Sequence, residues 1–271
     1  MGYLICGGGK IMRSRRSGLE VMKRAIFALF LREMRTRFGK FQLGYAWALI
    51  EPMGLTVIMI VIFSALGHAG YAGIDFPVFL SVGVVTYGLF SEISNRSIKA
   101  MEANSALFNY RPIRPIDTVL ARALLELVLH AAVLLVLLGL YWLLGGEVVV
   151  TDMPRLILVY LLLTLFSVGI GILYMLVTDF YSDAEKVLPL LTRPLFFISG
   201  IFFSLESVPR EYWPLLLWNP LFHAIEIARE SLSYGFRVPG VSLAYLAACT
   251  IGTLSVALFF YRWREARMRL R

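Results

Sequence analysis

Charged residues and cysteines are scarce in this sequence. Only 16% of the 271 residues are Asp, Glu, Lys or Arg, whereas 59% are hydrophobic. Soluble domains contain roughly 25% charged residues, so this composition excludes an ordinary soluble fold. The two cysteines, Cys6 and Cys249, have no metal-like spacing, and a disulfide framework is therefore not expected.

Sequence motifs of common enzyme classes are missing as well. The histidines, His68, His130 and His223, are scattered, and the sequence contains neither H-E-x-x-H nor G-x-S-x-G. The G-G-G-K run at positions 7–10 lacks the spacing and the Ser or Thr of a phosphate loop, which excludes ATP hydrolysis by this chain. His223 and Glu226 are spaced to hold a metal ion, but a capping or hydrogen-bonding role is favoured.

Long apolar runs dominate the sequence instead. With a mean hydropathy of +0.74, they predict an all-α polytopic membrane protein of about six spans, each of ~20 residues. Asp117 is the predicted N-cap of the third span, and Gly169 and Gly171 predict a close helix contact in the fourth. The predicted spans cover residues 52–66, 78–94, 118–144, 155–177, 187–203 and 241–261.

The cations flank these spans unevenly, although the net charge of +8 alone could suggest nucleic acid. Clustering of Lys and Arg beside apolar spans favours a positive-inside topology with both termini cytoplasmic, and no nucleic-acid partner is expected. The cations that fall on the outer side are Arg155, Arg210, Arg229 and Arg237.

The segment before the first span is predicted to contain an interfacial helix. Residues 1–18 fit a disordered N-terminal extension, whereas Leu19–Phe38 repeats apolar residues at helical spacing and is partly amphipathic. We expect this helix, within an interface region 19–40, to lie on the inner leaflet. A cytoplasmic prolongation of the first span is the alternative. Glu33 and Arg37 can pair within the helix.

A cationic and aromatic stretch, Arg32–Pro52, leads into the first span. Cations and rings of this kind suit the cytoplasmic headgroup layer. One interpretation is a topology signal with an aromatic belt. The other is that the stretch also receives an anionic, amphipathic substrate.

Ionisable residues inside the spans carry functional hypotheses, because they are costly there. Arg122, Glu126 and His130 follow each other at steps of four on the third span. Pairing of Arg122 with Glu126 would neutralise most of the cost, so a structural role is favoured. A similar cluster at the inner end of the second span comprises Glu92, Asn95 and Arg96.

Two segments between spans have predicted mechanical roles. In the cytoplasmic loop 96–115, a short helix over 98–108 ends before Pro112 and Pro115, which makes a stiff knob. The region 205–238 is broken by prolines and rich in aromatic residues, and it predicts re-entrant half-helices at the outer face.

Three motifs together resemble the membrane subunit of polysaccharide-exporting ABC transporters, the capsular or KpsM type. They are L-R-E-M-R-T-R-F-G-K-F-Q-L-G-Y-A-W-A-L-I-E-P (31–52), S-N-R-S-I-K-A-M-E-A-N-S-A-L-F-N-Y-R-P-I-R-P-I-D (94–117) and Y-W-P-L-L-L-W-N-P-L-F-H-A-I-E (212–226). The resemblance covers residues 19–265, which would form one transmembrane exporter domain, with 266–271 as a basic cytoplasmic tail.

The resemblance implies a type-2 ABC exporter architecture, built from a homodimer of six-span subunits and two copies of a separate ATPase subunit. Such transporters export a lipid-linked acidic polysaccharide across the inner membrane of Gram-negative bacteria, with a periplasmic export-machinery protein as a further partner. ATP and Mg²⁺ would bind the ATPase, so no cofactor or metal is expected on this chain, and it would not be an enzyme.

The resemblance also implies roles for individual residues. The entry gate for the lipid headgroup would comprise Arg32, Arg35, Arg37 and Lys40. Aromatic side chains facing the channel would be Tyr45, Trp47, Tyr87, Phe90, Phe196 and Phe197, although lipid-facing positions are equally compatible with the sequence. The outer gate would comprise Tyr212, Trp213, Trp218 and Asn219. The helix docking on the ATPase would present Ile98, Met101, Phe108, Tyr110 and Arg111.

Two other functions stay open at this point. The chain would also suit an ABC exporter of another lipid-linked glycan, a small lipid or a drug. An integral-membrane glycolipid acyltransferase is the third possibility, and the missing catalytic pair counts against it.

Overall fold

The computed structural model describes residues 18–38, 46–67, 70–71, 73–100 and 114–268, and in these ranges the chain is helical apart from turns and one two-stranded hairpin. The predictions for 1–17 and 269–271 and for most of the loop 96–115 lie outside these ranges. So do those for six site residues: Lys40, Tyr45, Met101, Phe108, Tyr110 and Arg111.

Nine helices and two short strands make up the described part of the chain. In chain order they are α1 (Gly18–Phe38), α2 (Trp47–Ala65), β1 (Gly70–Tyr71), β2 (Ile74–Asp75), α3 (Phe76–Ile98), α4 (Pro115–Leu143), α5 (Met153–Phe180), α6 (Ala184–Ile198), α7 (Trp213–Leu217), α8 (Pro220–Ser231) and α9 (Leu243–Met268). Two 3₁₀ turns, Leu205–Ser207 and Arg210–Tyr212, precede α7.

Four of these helices are long and apolar enough to cross a membrane, namely α3, α4, α5 and α9. The chain is therefore a multi-pass membrane protein, but the predicted count of six spans is not reproduced. The fifth predicted span becomes α6, whose 15 residues reach only about 22 Å. It ends because Gly200 takes a left-handed φ of 77°. The first predicted span, 52–66, corresponds to α2, whose apolar part is Leu49–Ala65 and is shorter than the four spanning helices.

The helix α3 forms the centre of the bundle and packs against α4, α5 and α8. Its mostly buried surface is made of residues such as Phe79, Leu80, Leu89 and Ile93. The helix α9 packs against α5 and α8 but leaves most of its apolar surface exposed. An exposed apolar face of this kind is what a lipid-facing helix presents.

Two helix ends differ from the sequence prediction. The helix α4 starts at Pro115, a proline at its first position, where no N–H is needed. Asp117 is therefore not the N-cap; from the third position its carboxylate accepts the Arg114 N–H at 2.9 Å. The helix α3 runs on to Ile98, so that Ile98 closes a span instead of opening the coupling helix.

The hairpin between α2 and α3 packs on the start of α3. Its strands are antiparallel, with Gly70 opposite Asp75. Gly73 has a φ of 86°, and its carbonyl accepts the Tyr234 N–H at 3.2 Å. The hairpin thereby fixes the loop after α8 to the start of α3.

Small residues let α5 approach its neighbours closely, as the sequence predicted. A Cβ placed on Gly171 would lie 2.6 Å from Ser97 Oγ, and one on Gly169 would lie 3.2 Å from the Leu254 backbone nitrogen. Both contacts are between helices, because Ser97 belongs to α3 and Leu254 to α9. The crossings of α5 with α3 and α9 therefore depend on these two glycines.

Replacing Gly171 with valine is expected to destabilise the subunit by about 1–3 kcal/mol, because three extra carbons must enter a closed contact. Gly139→Val on α4 is the matched control, since a Cβ there meets no atom within 4 Å. Thermal melting of the detergent-solubilised subunit measures both. Equal melting temperatures for the two variants would contradict the close α3–α5 contact.

Candidate functional site

The helices α1 and α4 are joined by two ion pairs in the same register. Glu33 Oε1 lies 3.0 Å from Arg122 Nε, and Arg37 Nη1 lies 2.5 Å from Glu126 Oε1. The expected pairs within each helix, Glu33 with Arg37 and Arg122 with Glu126, are therefore wrong. In each helix the two charges are four residues apart, that is, about one turn. When the helices lie side by side, each charge therefore pairs with the opposite charge of the other helix.

The second span contributes a third guanidinium to this junction. Arg96 Nε lies 2.5 Å from Glu92 Oε2 and 3.0 Å from Glu126 Oε1, which confirms the predicted cluster at the inner end of α3. Arg122 Nη1 donates to the Arg96 carbonyl at 2.5 Å. We call the six charged residues of α1, α3 and α4 the inner polar cluster: Glu33, Arg37, Glu92, Arg96, Arg122 and Glu126.

Burial in the inner polar cluster is graded. The Glu126 side chain is 1% exposed, whereas those of Arg37 and Arg96 are 22% and 39% exposed. A buried carboxylate is tolerated only when its charge is compensated, and here two guanidiniums share one oxygen of Glu126. The other oxygen, Oε2, is buried and has no hydrogen-bond partner among the described residues.

Two cavities meet at the inner polar cluster. The first, of about 300 Å³, lies between α1, α2, α3, α4 and α6; its apolar lining includes Leu55, Val84 and Phe196. The second, of about 490 Å³, lies beside Asn95 and Arg122. Both are lined by the same four charged residues: Arg37, Glu92, Arg96 and Glu126. Charges on one side and apolar walls on the other suit the headgroup and first carbons of a lipid.

The three predicted gate cations within the described residues occupy different environments. Arg37 belongs to the inner polar cluster. Arg35 is exposed, and Arg32 lies on a half-buried position, 3.8 Å from Glu33. Sequence analysis did not place Arg96, Arg122 and Glu126 at the same junction as Arg37. The spacing of four residues between opposite charges was the available sequence signal, but it did not indicate which helices contact each other.

A second buried charge pair, which sequence analysis missed, lies near the N-terminal end of α3, away from the inner polar cluster. Arg229 and Glu226 of α8 are fully buried, with Arg229 Nη1 3.0 Å from Glu226 Oε1. The guanidinium also donates to the carbonyls of Phe79 (3.1 Å), Gly200 (2.8 Å) and Ile201 (2.8 Å). We call Glu226 and Arg229 the outer anchor.

The outer anchor ties the chain after α6 to α3. The carbonyls of Gly200 and Ile201 lie beyond the end of α6, where no helical N–H remains for them. Arg229 also lies 3.4 Å from the centroid of the Phe79 ring. Burial raises the pKa of the Glu226 carboxyl, and the Arg229 charge opposes this rise.

Comparison with protein families decides the affiliation of this bundle. Residues 24–233 match the family described as ABC-2 type transporter. The chain belongs to this family. It is similar to the polysialic acid transport protein KpsM of Escherichia coli, with 49% identity over 93% of this chain and 98% of that protein.

More distant relatives carry related names. The capsule polysaccharide export inner-membrane protein CtrC of Neisseria meningitidis is 28% identical over 78% of this chain and 80% of its own length. The protein BexB of Haemophilus influenzae, with the same description, is 24% identical over 90% of this chain and 92% of its own length. The names of these relatives describe transport or export, and the ABC-2 family match favours transport over the acyltransferase alternative.

Within this ABC-2 fold, the five predicted channel aromatics that the structure describes differ in burial. Tyr87 and Phe90 are buried; the Tyr87 hydroxyl donates to the Thr192 carbonyl, and Phe90 stacks on Phe166 with centroids 5.9 Å apart. Phe197 is 63% exposed and Trp47 is 43% exposed. Phe196 is half-buried, contacts the Tyr87 ring and lines the first cavity.

Ion pairs connect the C-terminal ends of α3, α5 and α9 and the start of α6. Lys99 after α3 pairs with Glu185 of α6, and Arg264 of α9 pairs with Asp179 of α5. Ile98 is only 5% exposed in the chain, since it packs at the end of α3. Its side chain is therefore not presented for docking in this arrangement.

The predicted outer-gate residues surround α7 and the start of α8. Asn219 caps α8, because its side-chain oxygen accepts the Leu221 N–H at 3.0 Å. The Trp213 indole donates to the Val208 carbonyl at 2.9 Å. Tyr212 and Trp218 are 54% and 82% exposed. Two of the four residues thus stabilise local structure and two present rings at the surface.

His223 has the hydrogen-bonding role that sequence analysis favoured over metal binding. The Ser242 N–H donates to Nδ1 at 3.0 Å, so the ring proton sits on Nε2 and is donated to the Leu217 carbonyl at 2.8 Å. Burial lowers the pKa of the His223 imidazole, which keeps it neutral. It joins the segments before and after α8.

Proposed function

We propose that this chain is the channel-forming subunit of an ABC transporter that exports lipid-linked capsular polysaccharide across the bacterial inner membrane, driven by a separate ATPase subunit. The observation that carries the proposal is the 49% identity to the polysialic acid transport protein KpsM, over nearly the full length of both chains. The related names of CtrC and BexB support capsule export.

The inner polar cluster supports the same function by its chemistry. A polysaccharide on a lipid must enter with an anionic terminus at headgroup level and with its acyl chains in the membrane. Arg37 and Arg96 border a cavity whose other walls are apolar. Guanidinium groups bind phosphate oxygens through two parallel hydrogen bonds. We assign the entry gate to this junction, with Arg32, Arg35 and Lys40 attracting the headgroup from the leaflet surface.

The proposed assembly contains two copies of this chain and two ATPase subunits, with ATP and Mg²⁺ on the ATPase. The loop 96–115 would dock on the ATPase, and the ion pairs of Lys99 and Arg264 would pass its motion to α5, α6 and α9. Both termini would be cytoplasmic by the distribution of cations. A periplasmic protein of the export machinery would meet the outer face.

The proposed pore uses six passes and a broken outer segment. With 19 residues, α2 reaches about 28 Å, close to the thickness of the hydrocarbon core. The helix α6 would complete its pass with the segment after Gly200, and 205–238 would form the re-entrant outer gate. Aromatic side chains stack on the C–H faces of sugars, which suits Phe196 and Phe197 on α6 and Tyr212 and Trp218 at the gate.

Deletion of the gene in an encapsulated cell tests the proposed function. The expected result is loss of surface polysaccharide together with accumulation of the lipid-linked polymer inside the cell, measured by antibody or lectin binding before and after permeabilisation. Re-expression of the chain should restore the surface signal. Surface polysaccharide that persists without the gene would reject the proposal, and loss without internal accumulation would point to synthesis instead of export.

A further inference from the structure

The three guanidiniums of the inner polar cluster come from three different helices. Arg37 belongs to α1, Arg96 to α3 and Arg122 to α4. Each has a carboxylate partner within 3.0 Å, and these partners are Glu126, Glu92 and Glu33. Three positive groups and three negative groups make the cluster neutral as a whole. An anion that binds these arginines therefore competes with the carboxylates of the chain.

Glu126 is the carboxylate whose position resembles a bound anion most closely. One of its oxygens is shared by Arg37 (2.5 Å) and Arg96 (3.0 Å), which is how a phosphate oxygen would lie between two guanidiniums. Its other oxygen is buried and has no hydrogen-bond partner among the residues described. A buried acceptor without a partner is destabilising. The Glu126 carboxylate therefore occupies the place between the two guanidiniums, but only one of its two oxygens is hydrogen-bonded.

The helix α1 is the element that such an exchange would release. Its two ion pairs with α4 lie one helical turn apart on both helices. Movement of α1 along α4 or away from it therefore breaks both pairs together. The Glu33 and Arg37 side chains are 19% and 22% exposed, and a headgroup can therefore reach them. Arg122 is held additionally by the Arg96 carbonyl and would stay with α3 and α4.

From this geometry we infer that Arg37, Arg96 and Arg122 form an anion site for a lipid-borne phosphate, with Glu126 and Glu33 as internal stand-ins that keep α1 docked until the phosphate displaces them. This inference rests on the proposed function and adds a selection step to it. A phosphate that joins a lipid to a glycan is a diester with one negative charge, and its two free oxygens can accept hydrogen bonds from two guanidiniums at once. A zwitterionic headgroup brings its own cation and gains less from the exchange.

Distance measurements between α1 and α4 test the inference. Spin labels are attached at Ala28→Cys and Val128→Cys, two exposed positions, in a chain carrying Cys6→Ser and Cys249→Ser. The full chain is assembled with its ATPase subunit in phosphatidylcholine nanodiscs. We expect one narrow distance distribution without ligand, and a longer, broader distribution with dodecyl phosphate.

The variant Glu126→Gln separates exchange from simple amphiphile binding. It keeps the shape of the side chain but removes the competing charge, so it should respond at a dodecyl phosphate concentration lower by roughly fivefold or more. Glu147→Gln, an exposed position in an outer loop, is the matched control and should respond as the wild type does. Equal responses of Glu126→Gln and the wild type would overturn the inference.

Comparison ligands identify the source of the phosphate. Dodecylphosphocholine and inorganic phosphate should leave the distance unchanged. An equal response to dodecylphosphocholine would show amphiphile disruption, and an equal response to inorganic phosphate would assign the site to free phosphate; both results reject the lipid-borne anion. Phosphatidic acid in the nanodiscs carries the same phosphate monoester and should lengthen the distance as dodecyl phosphate does; an unchanged distance would reject a site for lipid-borne phosphate. Capsule export by the labelled chain in cells, measured separately, decides whether such a failure extends to the proposed function.

Discussion

Replacing Arg229 with glutamine should destabilise the subunit by about 3–5 kcal/mol, the usual cost of breaking a buried ion pair by removing one partner. The variant would leave Glu226 buried without its counter-charge. It would also leave the carbonyls of Phe79, Gly200 and Ile201 without the donors that they now share. The expected result is a subunit that no longer folds stably, seen as loss of the monodisperse peak in detergent.

Two further variants separate charge from geometry at the outer anchor. Arg229→Lys keeps the charge, but a single ammonium cannot serve three carbonyls and a carboxylate, so it should recover only part of the stability. Arg155→Gln is the matched control, because Arg155 pairs with Glu230 at 3.0 Å but is 36% exposed. It should cost no more than about 1 kcal/mol. A wild-type melting temperature for Arg229→Gln would contradict the anchoring role.

Reversing the charge at Arg37 should abolish surface polysaccharide. Arg37→Glu places a carboxylate beside the buried Glu126, and the repulsion separates α1 from α4 at the junction that we assign to substrate entry. It also removes a guanidinium from the proposed anion site. Capsule at the cell surface, normalised to the amount of subunit in the membrane, measures the effect.

Exchanging the pair distinguishes these two consequences. Arg37→Glu combined with Glu126→Arg restores an ion pair across α1 and α4, so export should return in part. Arg35→Glu changes an exposed charge outside the inner polar cluster and should reduce export less than Arg37→Glu. If the double variant is as inactive as Arg37→Glu while the protein level is normal, the pair does not act through α1–α4 docking.

Local sequence signals predicted much of this fold. The bounds of α1 follow from apolar periodicity, and those of α5 follow approximately from an apolar run. The predicted close contacts of Gly169 and Gly171 are confirmed, because helices can approach closely where a residue has no side chain. The length of α6 could not be predicted in this way. Apolar residues continue to Phe203, but the left-handed Gly200 ends the helix at Ile198.

Partners between helices could not be read from spacing along one helix. The steps from Glu33 to Arg37 and from Arg122 to Glu126 predict pairs within each helix, which would be reasonable for isolated helices in water. In the bundle the same spacing joins α1 to α4, because both pairs then neutralise charges that packing has buried. Arg229 was assigned only to the outer side, since its carbonyl partners become available only when α6 ends.

The most direct test of export by this chain is translocation in inverted membrane vesicles that contain the chain and its ATPase subunit. Lipid-linked capsular polysaccharide is added outside with ATP, and the fraction protected from a glycan-cleaving enzyme is measured. We expect protection that requires both ATP and this chain, and that Arg37→Glu abolishes. Polysaccharide that stays accessible with ATP, or that becomes protected equally in vesicles without the chain, would contradict export by this chain.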